Sequence, residues 1–497
     1  MDRRGFLTAL GIGGTMALTG AGRAYATGPI RPRAPRDTTT PPDWSALKAR
    51  LDGRLLLPQD QGYAVARLGY NELNDAQLPA AVARCTSPDD VRSCLDAARG
   101  HGVPIAARSG GHSYLGYSVP NDGLVMDLRP MARVRVRPDG TVRVGAGARL
   151  IEVYAALAAA GRLLPAGSCP TVGIGGLTLG GGIGVLSRRY GLTCDRLVSA
   201  RVVTADSRLV TASPSCEPDL YWALRGGGGG NFGVVTEFTF STEPAPDLTV
   251  FALRFPAEAA TSVIGAWQEW IADAPSELWT NCVVSGADRP TARVGGCYVG
   301  GPGDLDPLLD RLVTAAGTQP ASRTTQSKSY LDAMKYMAGC ANDTIAQCHP
   351  VSEGGRLPRE GFVAASRILT TPLDAQQVTR LMTGHPGIDL LLDSLGGAVS
   401  RLAPDATAFP HRSALASAQI YAGATPAGQQ AATAAVDAIR DGLGALGATG
   451  AYVNYIDATL PDWGTAYYGD NLARLKSVTR QYDPDQVFTF PRSVARA

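Results

Sequence analysis

Apolar and polar residues follow two different patterns along this chain, and the change comes near residue 245. Before it, short apolar runs lead into glycine-rich turns, with helical periodicity between them. The first helix is predicted to begin after Ser87, because Pro88 suits a first helical position and acidic residues follow it. Predicted helices cover 87–99 and 149–160, and predicted strands cover 103–107, 197–203 and 208–212, with more strands within 124–147. This alternation is typical of an α/β cofactor-binding unit.

Beyond residue 245, longer helical patterns alternate with strand patterns, and the glycine runs end. The predicted strands are 248–254, 279–285, 292–299, 390–394, 415–422 and 451–457. The predicted helices are 259–272, 306–316, 373–383, 427–441 and 467–482. We therefore expect a second unit in which helices cover one face of a sheet and leave its other face to meet the cofactor unit.

Composition and charge indicate which kind of partner this chain binds. The 497 residues are 45% hydrophobic and 18% charged, with a formal net charge of +2. A chain of this length can bury more than one core. Its small charge, without a block of like charges, gives no reason to expect nucleic acid or a membrane as partner. The expected partner is a small molecule, and the oligomeric state stays open.

The N-terminal residues are typical of an export signal. Arg3 and Arg4 precede a short apolar run, and a small-residue cleavage pattern ends at Ala26. The paired arginines favour the twin-arginine route, although an ordinary secretory signal fits the same stretch. We expect residues 1–26 to be a signal peptide, residues 27–43 to be a linker, and the mature protein to be secreted.

Nine cysteines suit an exported protein, in which disulfides persist. If Cys169 carries a ligand, the remaining eight allow four bridges, although sequence does not determine their connectivity. Cys340 with Cys348, and Cys282 with Cys297 across a predicted hairpin, are the candidate pairs. A metal site is not expected, because there is no C-x-x-C motif and the five histidines stand far apart in sequence.

Two glycine-rich stretches each carry a side chain that can act as a nucleophile. We call residues 105–118 the first glycine turn, which holds His112, and residues 167–184 the second glycine turn, which holds Cys169. Without a Cβ, such turns let backbone N–H groups approach a phosphate or a flat ring. A Rossmann site is the competing interpretation. It is disfavoured because no G-x-G-x-x-G follows a first strand with an acidic residue about twenty positions later.

Five motifs in order give the chain a resemblance to a known family. They are RSGGHSYLGYS, GSCPTVGIGGLTLGGGIGVLSRRYGLTCD, GGGGGNFGVVTEF, GGAVSRLAPDATAFPHR and the C-terminal YVNYIDATLPDWGTAYYGDNLARLKSVTRQYDPDQVF. Together they resemble berberine-bridge-enzyme-like flavoproteins of the vanillyl-alcohol-oxidase superfamily. The resemblance implies an α+β fold with a two-part FAD-binding domain of the PCMH type at 44–245. A substrate domain would follow at 246–450, and a C-terminal segment at 451–497 would return to the FAD domain.

The resemblance also implies FAD bound covalently through both His112 and Cys169. Without it, His112 could as well cap a turn, and Cys169 could be a half-cystine or a small buried residue. The first glycine turn would bind the diphosphate, the second would lie at the flavin ring, and Asn231, Gly233 and Val235 would lie nearer the adenine half. The expected cofactor-binding residues are Arg108, Ser109, Gly110, Gly111, His112, Ser113, Gly116, Cys169, Thr171, Val172, Gly173, Gly176, Gly181, Gly182, Gly184, Val235 and Asn454.

For catalysis the resemblance assigns the second tyrosine of Y-x-N-Y, Tyr455, as the base that takes the substrate proton. A tyrosine can do so only if neighbouring groups ease its ionisation, since its ordinary pKa is about 10. Tyr452 and Asn454 would position Tyr455 or the flavin. Gln419 and Tyr421 alternate on a predicted strand and could line the same site, although a polar sheet surface explains them equally well.

Two positions bear on the reaction type. Ile183 stands where plant relatives often have a second tyrosine, so a mechanism that needs that tyrosine is in doubt. Val172 occupies the gate position over the flavin, where a small side chain favours molecular oxygen as electron acceptor. We expect an oxidase that acts on an alcohol or hemiacetal of a sugar, glycoside or secondary metabolite and makes hydrogen peroxide. Oxidative cyclisation, amine oxidation and a low-turnover flavin-storage protein are the alternatives.

Overall fold

The computed structural model describes residues 42–497, so the predicted signal peptide and residues 27–41 of the predicted linker lie outside the described residues. The α-helices of the described chain are α1 (Trp44–Arg50), α2 (Tyr63–Ala66), α3 (Pro88–His101), α4 (Leu150–Ala159), α5 (Ile174–Leu179), α6 (Ser187–Tyr190), α7 (Pro218–Ala223), α8 (Ala260–Ala272), α9 (Pro302–Ala316), α10 (Tyr330–Met337), α11 (Ala375–Met382), α12 (Gln429–Ala445), α13 (Trp463–Tyr468) and α14 (Leu472–Tyr482). None of them is long and apolar enough to cross a membrane.

The first sheet is small, mostly parallel and buried. Its strands are β1 (Arg54–Leu56), β2 (Ala81–Arg84), β3 (Ile105–Arg108) and β4 (Leu124–Asp127), in the order β1-β2-β4-β3. Helix α3 connects β2 to β3, and the Ser87 side chain accepts a hydrogen bond from the Asp90 N–H, as the capping pattern predicts. Strand β3 forms the first four residues of the first glycine turn, so the glycines of that turn follow the carboxyl end of a parallel strand.

The second sheet is antiparallel. Its strands are β5 (Val134–Val136), β6 (Thr141–Gly145), β8 (Leu197–Val203), β9 (Leu209–Ala212) and β10 (Val234–Ser241), in the order β5-β6-β10-β8-β9. The short strand β7 (Arg162–Leu163) pairs separately with β11 (Glu243–Pro244). The predicted hairpin between β5 and β6 turns at Gly140, whose φ is +79°, and the Asp139 carboxylate accepts from the Thr141 N–H.

The third sheet has seven antiparallel strands. They are β12 (Leu248–Arg254), β13 (Leu278–Ser285), β14 (Thr291–Val299), β15 (Ser322–Lys328), β16 (Phe362–Leu369), β17 (Ile388–Ser394) and β18 (Ala416–Gly423), in the order β15-β12-β14-β13-β17-β18-β16. Residues of α8, α9, α11 and α12 form one hydrophobic core with this sheet. The predicted sheet with helices on one face is confirmed.

On three central strands, side chains point alternately into the helix-covered core and to the opposite face of this sheet. Leu390 and Leu392 of β17 point into the helix-covered core, and so do Ala418 and Ile420 of β18. The residues between them point the other way, because successive side chains of a strand alternate. That face, which we call the free face, carries Trp279, Asn281, Leu391, Asp393, Gln419 and Tyr421.

The strand predicted at 451–457 was wrong. The segment is a turn, in which the Tyr455 N–H donates to the Tyr452 carbonyl and the Tyr452 N–H donates to Ser366 Oγ. Local apolar content suggested a strand, but side chains rather than a ladder satisfy this backbone. The helix predicted at 467–482 is two helices, α13 and α14, separated at Gly469. Strands β15 and β16 and helix α10 were not predicted.

One of the two candidate disulfides forms. Cys340 and Cys348 are bonded, with Cα atoms 6.1 Å apart. Cys282 and Cys297 lie on neighbouring strands, but the register pairs Cys282 with Val294 and Cys297 with Trp279, so their sulfurs do not meet. The seven other cysteines, Cys169 included, are free thiols in the described chain, so one of the four bridges that eight cysteines allow is present there.

Candidate active site

A cavity of about 350 Å³ lies between the glycine turns and the free face of the third sheet. The turn at 452–456 also lines it. Residues 228–230, in the glycine run of the motif GGGGGNFGVVTEF, contribute backbone to its wall. Three distant parts of the sequence therefore converge on one enclosed space, which is the usual character of a small-molecule site.

Close packing of two glycines brings the first and second glycine turns together. A Cβ on Gly110 would lie 2.2 Å from the Gly173 nitrogen, and one on Gly173 would lie 2.0 Å from Ser109 Oγ. No side chain fits at either position, so glycine is required for this approach. The two predicted nucleophiles are brought to one wall of the cavity as a result.

Backbone donors of the first glycine turn face the cavity without protein acceptors. In the described part of the chain, the N–H groups of Ser109, Gly110, Gly111 and Ser113 donate to no protein acceptor. These residues all line the cavity. These residues are half-buried, and a row of such donors along a cavity suits an anionic or strongly polar ligand.

His112 and Cys169 share a hydrogen-bonding neighbour. Thr171 Oγ1 lies 2.9 Å from His112 Nε2 and 3.5 Å from Cys169 Sγ. The ring of Tyr70 stacks on the His112 imidazole with centroids 4.0 Å apart and an interplanar angle of 18°. Both nucleophilic side chains are thus held at the cavity wall, with Cys169 only 9% exposed.

Tyr455 lies on the turn at 452–456, lines the cavity and is half-buried. Its ring stacks on Tyr114 at 5.4 Å and meets Tyr452 edge-on at 5.0 Å. The Gln419 side-chain amide donates to the Tyr114 hydroxyl at 2.5 Å. Tyr455 therefore stands among polar groups from the first glycine turn and the free face, as a base that acts on a bound substrate requires.

Comparison with known proteins agrees with this geometry. The family described as "FAD binding domain" matches residues 79–213, and the family "Berberine and berberine like" matches residues 451–495. The uncharacterized FAD-linked oxidoreductase YgaK of Bacillus subtilis is 33% identical over 458 residues, which cover 90% of this chain and 98% of that protein. The chain belongs to the berberine-bridge-enzyme-like FAD-linked oxidoreductases.

Other members of the family are similar over most of their length. Chitooligosaccharide oxidase of Gibberella zeae is 32% identical, with 84% of this chain and 87% of that protein covered. The solved structure of Physcomitrella patens BBE-like 1 superposes with a TM-score of 0.86 and is 29% identical, with 91% of this chain and 99% of that chain covered. As a member of this family, the chain is an FAD-dependent oxidoreductase with the predicted α+β fold of PCMH type.

The cavity fits the FAD that the family uses. The row of N–H donors in the first glycine turn suits the negatively charged diphosphate. A Cβ on Gly176 would contact nothing within 4 Å, so its backbone leaves space beside the second glycine turn for a flat ring. The donors of the first glycine turn would hold the diphosphate, and the glycines of the second would hold the flavin ring.

The predicted cofactor-binding residues mostly line this cavity, with four exceptions. Those in the lining are Ser109, Gly110, Gly111, His112, Ser113, Cys169, Thr171, Val172, Gly173, Gly176, Gly184, Val235 and Asn454, together with Asn231 and Gly233. Those away from it are Arg108, Gly116, Gly181 and Gly182. The predicted catalytic residues Tyr455, Tyr452 and Gln419 all line it. The roles of these residues stay predictions.

Each of the four exceptions has a structural reason. Gly116 has a φ of +67° and packs against Asn74, where a Cβ would lie 2.9 Å from the Asn74 Cβ. Gly181 and Gly182 also have positive φ, and a Cβ there would meet Phe409 and Thr193. Positive φ and tight packing around the turns account for glycine at these positions.

Arg108 is diverted to a buried ion pair beneath the first glycine turn. Its guanidinium lies 3.1 Å from Asp127 Oδ2, and the two side chains are 1% and 0% exposed. Arg129 also binds Asp127, at 2.7 Å. Burial by itself would raise the pKa of Asp127, but the two arginines outweigh it and hold that pKa well below its ordinary value. Burial lowers the pKa of Arg108 to about 10, which leaves it charged at neutral pH.

Tyr452 is a structural centre of the C-terminal turn. Its oxygen accepts hydrogen bonds from the Gly182 N–H at 3.0 Å, the Ile183 N–H at 3.3 Å and Asn454 Nδ2 at 2.8 Å. Burial raises the pKa of Tyr452 to about 12, and these donors offset that only in part. Tyr452 therefore connects the turn that carries Tyr455 to the second glycine turn.

Several lining residues were missed by sequence reasoning. Among the described residues, Asp393 is the one carboxylate that lines the cavity, and Asn281 lines it as well. They lie opposite each other in the β13–β17 register. Tyr70 and Tyr114 were missed as well. The alternation of β17 could have indicated Asp393, because it breaks an apolar run on an otherwise buried strand. Among residues 42–497, no group of three metal-ligating side chains is found.

Proposed function

We propose that this enzyme is a secreted oxidase that takes a hydride from the hemiacetal carbon of a reducing sugar or oligosaccharide and reduces molecular oxygen to hydrogen peroxide. The observation that carries the proposal is the meeting of Tyr455, Asp393 and Gln419 in one cavity with the glycine turns. Polar groups beside aromatic rings suit a carbohydrate, whose hydroxyls and apolar ring faces need both. The name of the chitooligosaccharide oxidase relative points to the same substrate class.

Proton removal is the task of the chain's own residues in this reaction. FAD, when bound, accepts the hydride that leaves the substrate carbon. Tyr455 takes the proton from the adjacent hydroxyl, because a carbon that loses a hydride forms its carbonyl as the O–H proton leaves. Asp393 lines the same cavity and is a second side chain there that can accept a proton. Asn281 and Gln419 hold the sugar hydroxyls by hydrogen bonds.

The same proposal includes the two covalent linkages, from His112 and from Cys169. An imidazole nitrogen and a thiolate are among the few side-chain groups that can form such bonds. Both lie on one wall of the cavity beside Thr171. A cofactor bound in this way is not lost outside the cell, which agrees with the twin-arginine-like N-terminus and with the route for folded proteins that it favours.

Peroxide release from reducing sugars tests the function. The purified enzyme should release hydrogen peroxide with reducing oligosaccharides of glucose, xylose or N-acetylglucosamine. It should not do so with the corresponding alditols, which lack the hemiacetal but keep the other hydroxyls. Equal rates with a sugar and its alditol would move the reaction to an ordinary alcohol carbon. Flavin reduction only by amines would favour amine oxidation instead.

Cys169→Ala should leave FAD attached through His112 and slow turnover. Loss of the sulfur substituent lowers the reduction potential of the flavin, so hydride transfer becomes less favourable. We expect a rate about tenfold lower, equivalent to a barrier about 1.4 kcal/mol higher. Peptide mapping and steady-state kinetics measure the two effects. The control is Cys216→Ala, which removes an exposed thiol outside the cavity. An unchanged rate in Cys169→Ala would remove this residue from the site.

A further inference from the structure

One buried hydroxyl contacts both proposed attachment residues. Thr171 is 2% exposed, and its Oγ1 lies 2.9 Å from His112 Nε2 and 3.5 Å from Cys169 Sγ. We infer that Thr171 is a positioning residue for covalent attachment of FAD, because its hydroxyl holds both side chains in their nucleophilic forms at once. This inference rests on the proposed bicovalent linkage and goes beyond it, since it assigns a role to a residue that forms no bond to the cofactor.

The role of Thr171 follows from the single proton of its hydroxyl group. A threonine hydroxyl donates one hydrogen bond and accepts through its lone pairs. A thiolate, the reactive form of cysteine, can only accept, so the Thr171 proton is directed to Cys169. The Thr171 oxygen then accepts from His112, which requires the proton of that imidazole on Nε2. This tautomer carries its lone pair on Nδ1, and a lone pair is what a nucleophilic nitrogen needs.

Neighbouring contacts limit the movement of these three residues, so the chain does not shift to fill the place of a removed hydroxyl. The Tyr70 ring stacked on His112 limits rotation of the imidazole. Pro170 restricts the backbone between Cys169 and Thr171, and the Val172 N–H donates to the Cys169 carbonyl at 3.3 Å. A variant without the hydroxyl therefore keeps the positions of His112 and Cys169 and loses only the hydrogen bonds between them.

The attachment reaction balances with molecular oxygen as the oxidant. Each linkage replaces one N–H or S–H hydrogen and one C–H hydrogen of the cofactor by the new N–C or S–C bond. Two electrons and two protons leave for each bond. Molecular oxygen, the acceptor of the proposed reaction, takes them and becomes hydrogen peroxide. Thr171 is neither consumed nor oxidised, and its part is to direct one proton.

Timed attachment in full-length variants tests the inference. Protein is harvested at fixed times after a pulse of expression and denatured in acid, and the fraction of FAD on the His112 and Cys169 peptides is measured by mass. We expect Thr171→Val to slow attachment at both peptides by at least about tenfold, the effect of losing a hydrogen bond to a charged group. Thr171→Ser keeps the hydroxyl and should restore attachment to near the wild-type rate.

Thr178→Val is the matched control. Thr178 is fully buried seven positions away, and its hydroxyl has no hydrogen-bond partner in the described chain. The same chemical change there should leave attachment unchanged. Attachment at the wild-type rate in Thr171→Val would overturn the inference. If that variant does not fold, Thr171→Ala and Thr171→Ser decide, since both lose the methyl group, and equal rates in the two would also overturn it.

The outcomes also separate this inference from the proposed function. Wild-type protein without covalent FAD would refute the proposed linkage itself, whatever the variants do. Wild-type protein with both linkages, together with Thr171→Val that is equally linked, would refute only the role of Thr171. Loss at one peptide alone would show that the hydroxyl serves a single nucleophile, which contradicts the joint role inferred here.

Discussion

Tyr455→Phe is expected to lower the rate of flavin reduction by substrate about 10²–10⁴-fold, the usual contribution of a positioned general base. The ring stays in place, because its contacts with Tyr114 and Tyr452 are between aromatic faces and edges and do not need the hydroxyl. FAD should be retained, since the proposed attachment residues are His112 and Cys169 and not Tyr455. Anaerobic mixing with substrate, followed by flavin absorbance, measures this step without the oxygen reaction.

Tyr298→Phe provides the control for this experiment. Tyr298 is 9% exposed and packs in the core beneath the helix-covered face of the third sheet, outside the cavity. Its loss of a hydroxyl should leave flavin reduction within about twofold of wild type, because distant surface or core polar groups contribute little to catalysis. Full activity of Tyr455→Phe would place the base elsewhere, and Asp393 would be the next residue to replace.

Asp127→Asn is expected to destabilise the protein by about 3–5 kcal/mol, the usual loss when one partner of a buried ion pair is removed. It would leave the buried Arg108 guanidinium without its counter-charge beneath the first glycine turn. The pKa of Asp127 is held below its ordinary value, so the pair is fully charged at neutral pH. The stabilisation from this ion pair should be lost only as the pH falls below the ordinary pKa of an aspartate carboxyl group. A lower midpoint of denaturant unfolding measures the change.

A surface ion pair serves as the comparison. Asp219 and Arg474 lie 2.8 Å apart, but their side chains are 50% and 47% exposed. Asp219→Asn should cost no more than about 1 kcal/mol, because water solvates both charges when the pair is broken. Equal losses in the two variants would contradict the view that Asp127 supports the first glycine turn by neutralising a buried arginine.

The strands of the third sheet and the helices that cover them were largely predictable, because period-two and helical apolar patterns are local and repeat over many residues. The predictions were wrong where contacts between distant segments, rather than the local apolar pattern, determine the backbone conformation. Residues 451–457 have the composition of a strand, but hydrogen bonds to Ser366 and within the segment make them a turn. Strand β15 was missed because it is an exposed edge strand of polar residues without an apolar alternation. The boundaries proposed at 245 and 450 stay a prediction.

The sequence by itself determined the glycine turns and their nucleophiles. Close approach of a backbone to a ligand, or to another backbone, excludes a Cβ at positions such as Gly110 and Gly173, so the requirement is readable in the residue type itself. The family motifs around His112, Cys169 and Tyr455 are equally local, and they indicate FAD as the cofactor without the tertiary structure.

Only the tertiary structure decided which groups meet in the site. Arg108 stands in the first glycine turn by sequence, yet the nearby Asp127 draws it into a buried pair because an unpaired charge cannot be buried. Asp393 reaches the cavity through the register of a strand that is far away along the chain. Thr171 contacts His112 only because two turns close on each other. Such contacts depend on distances between remote segments, which residue types alone do not encode.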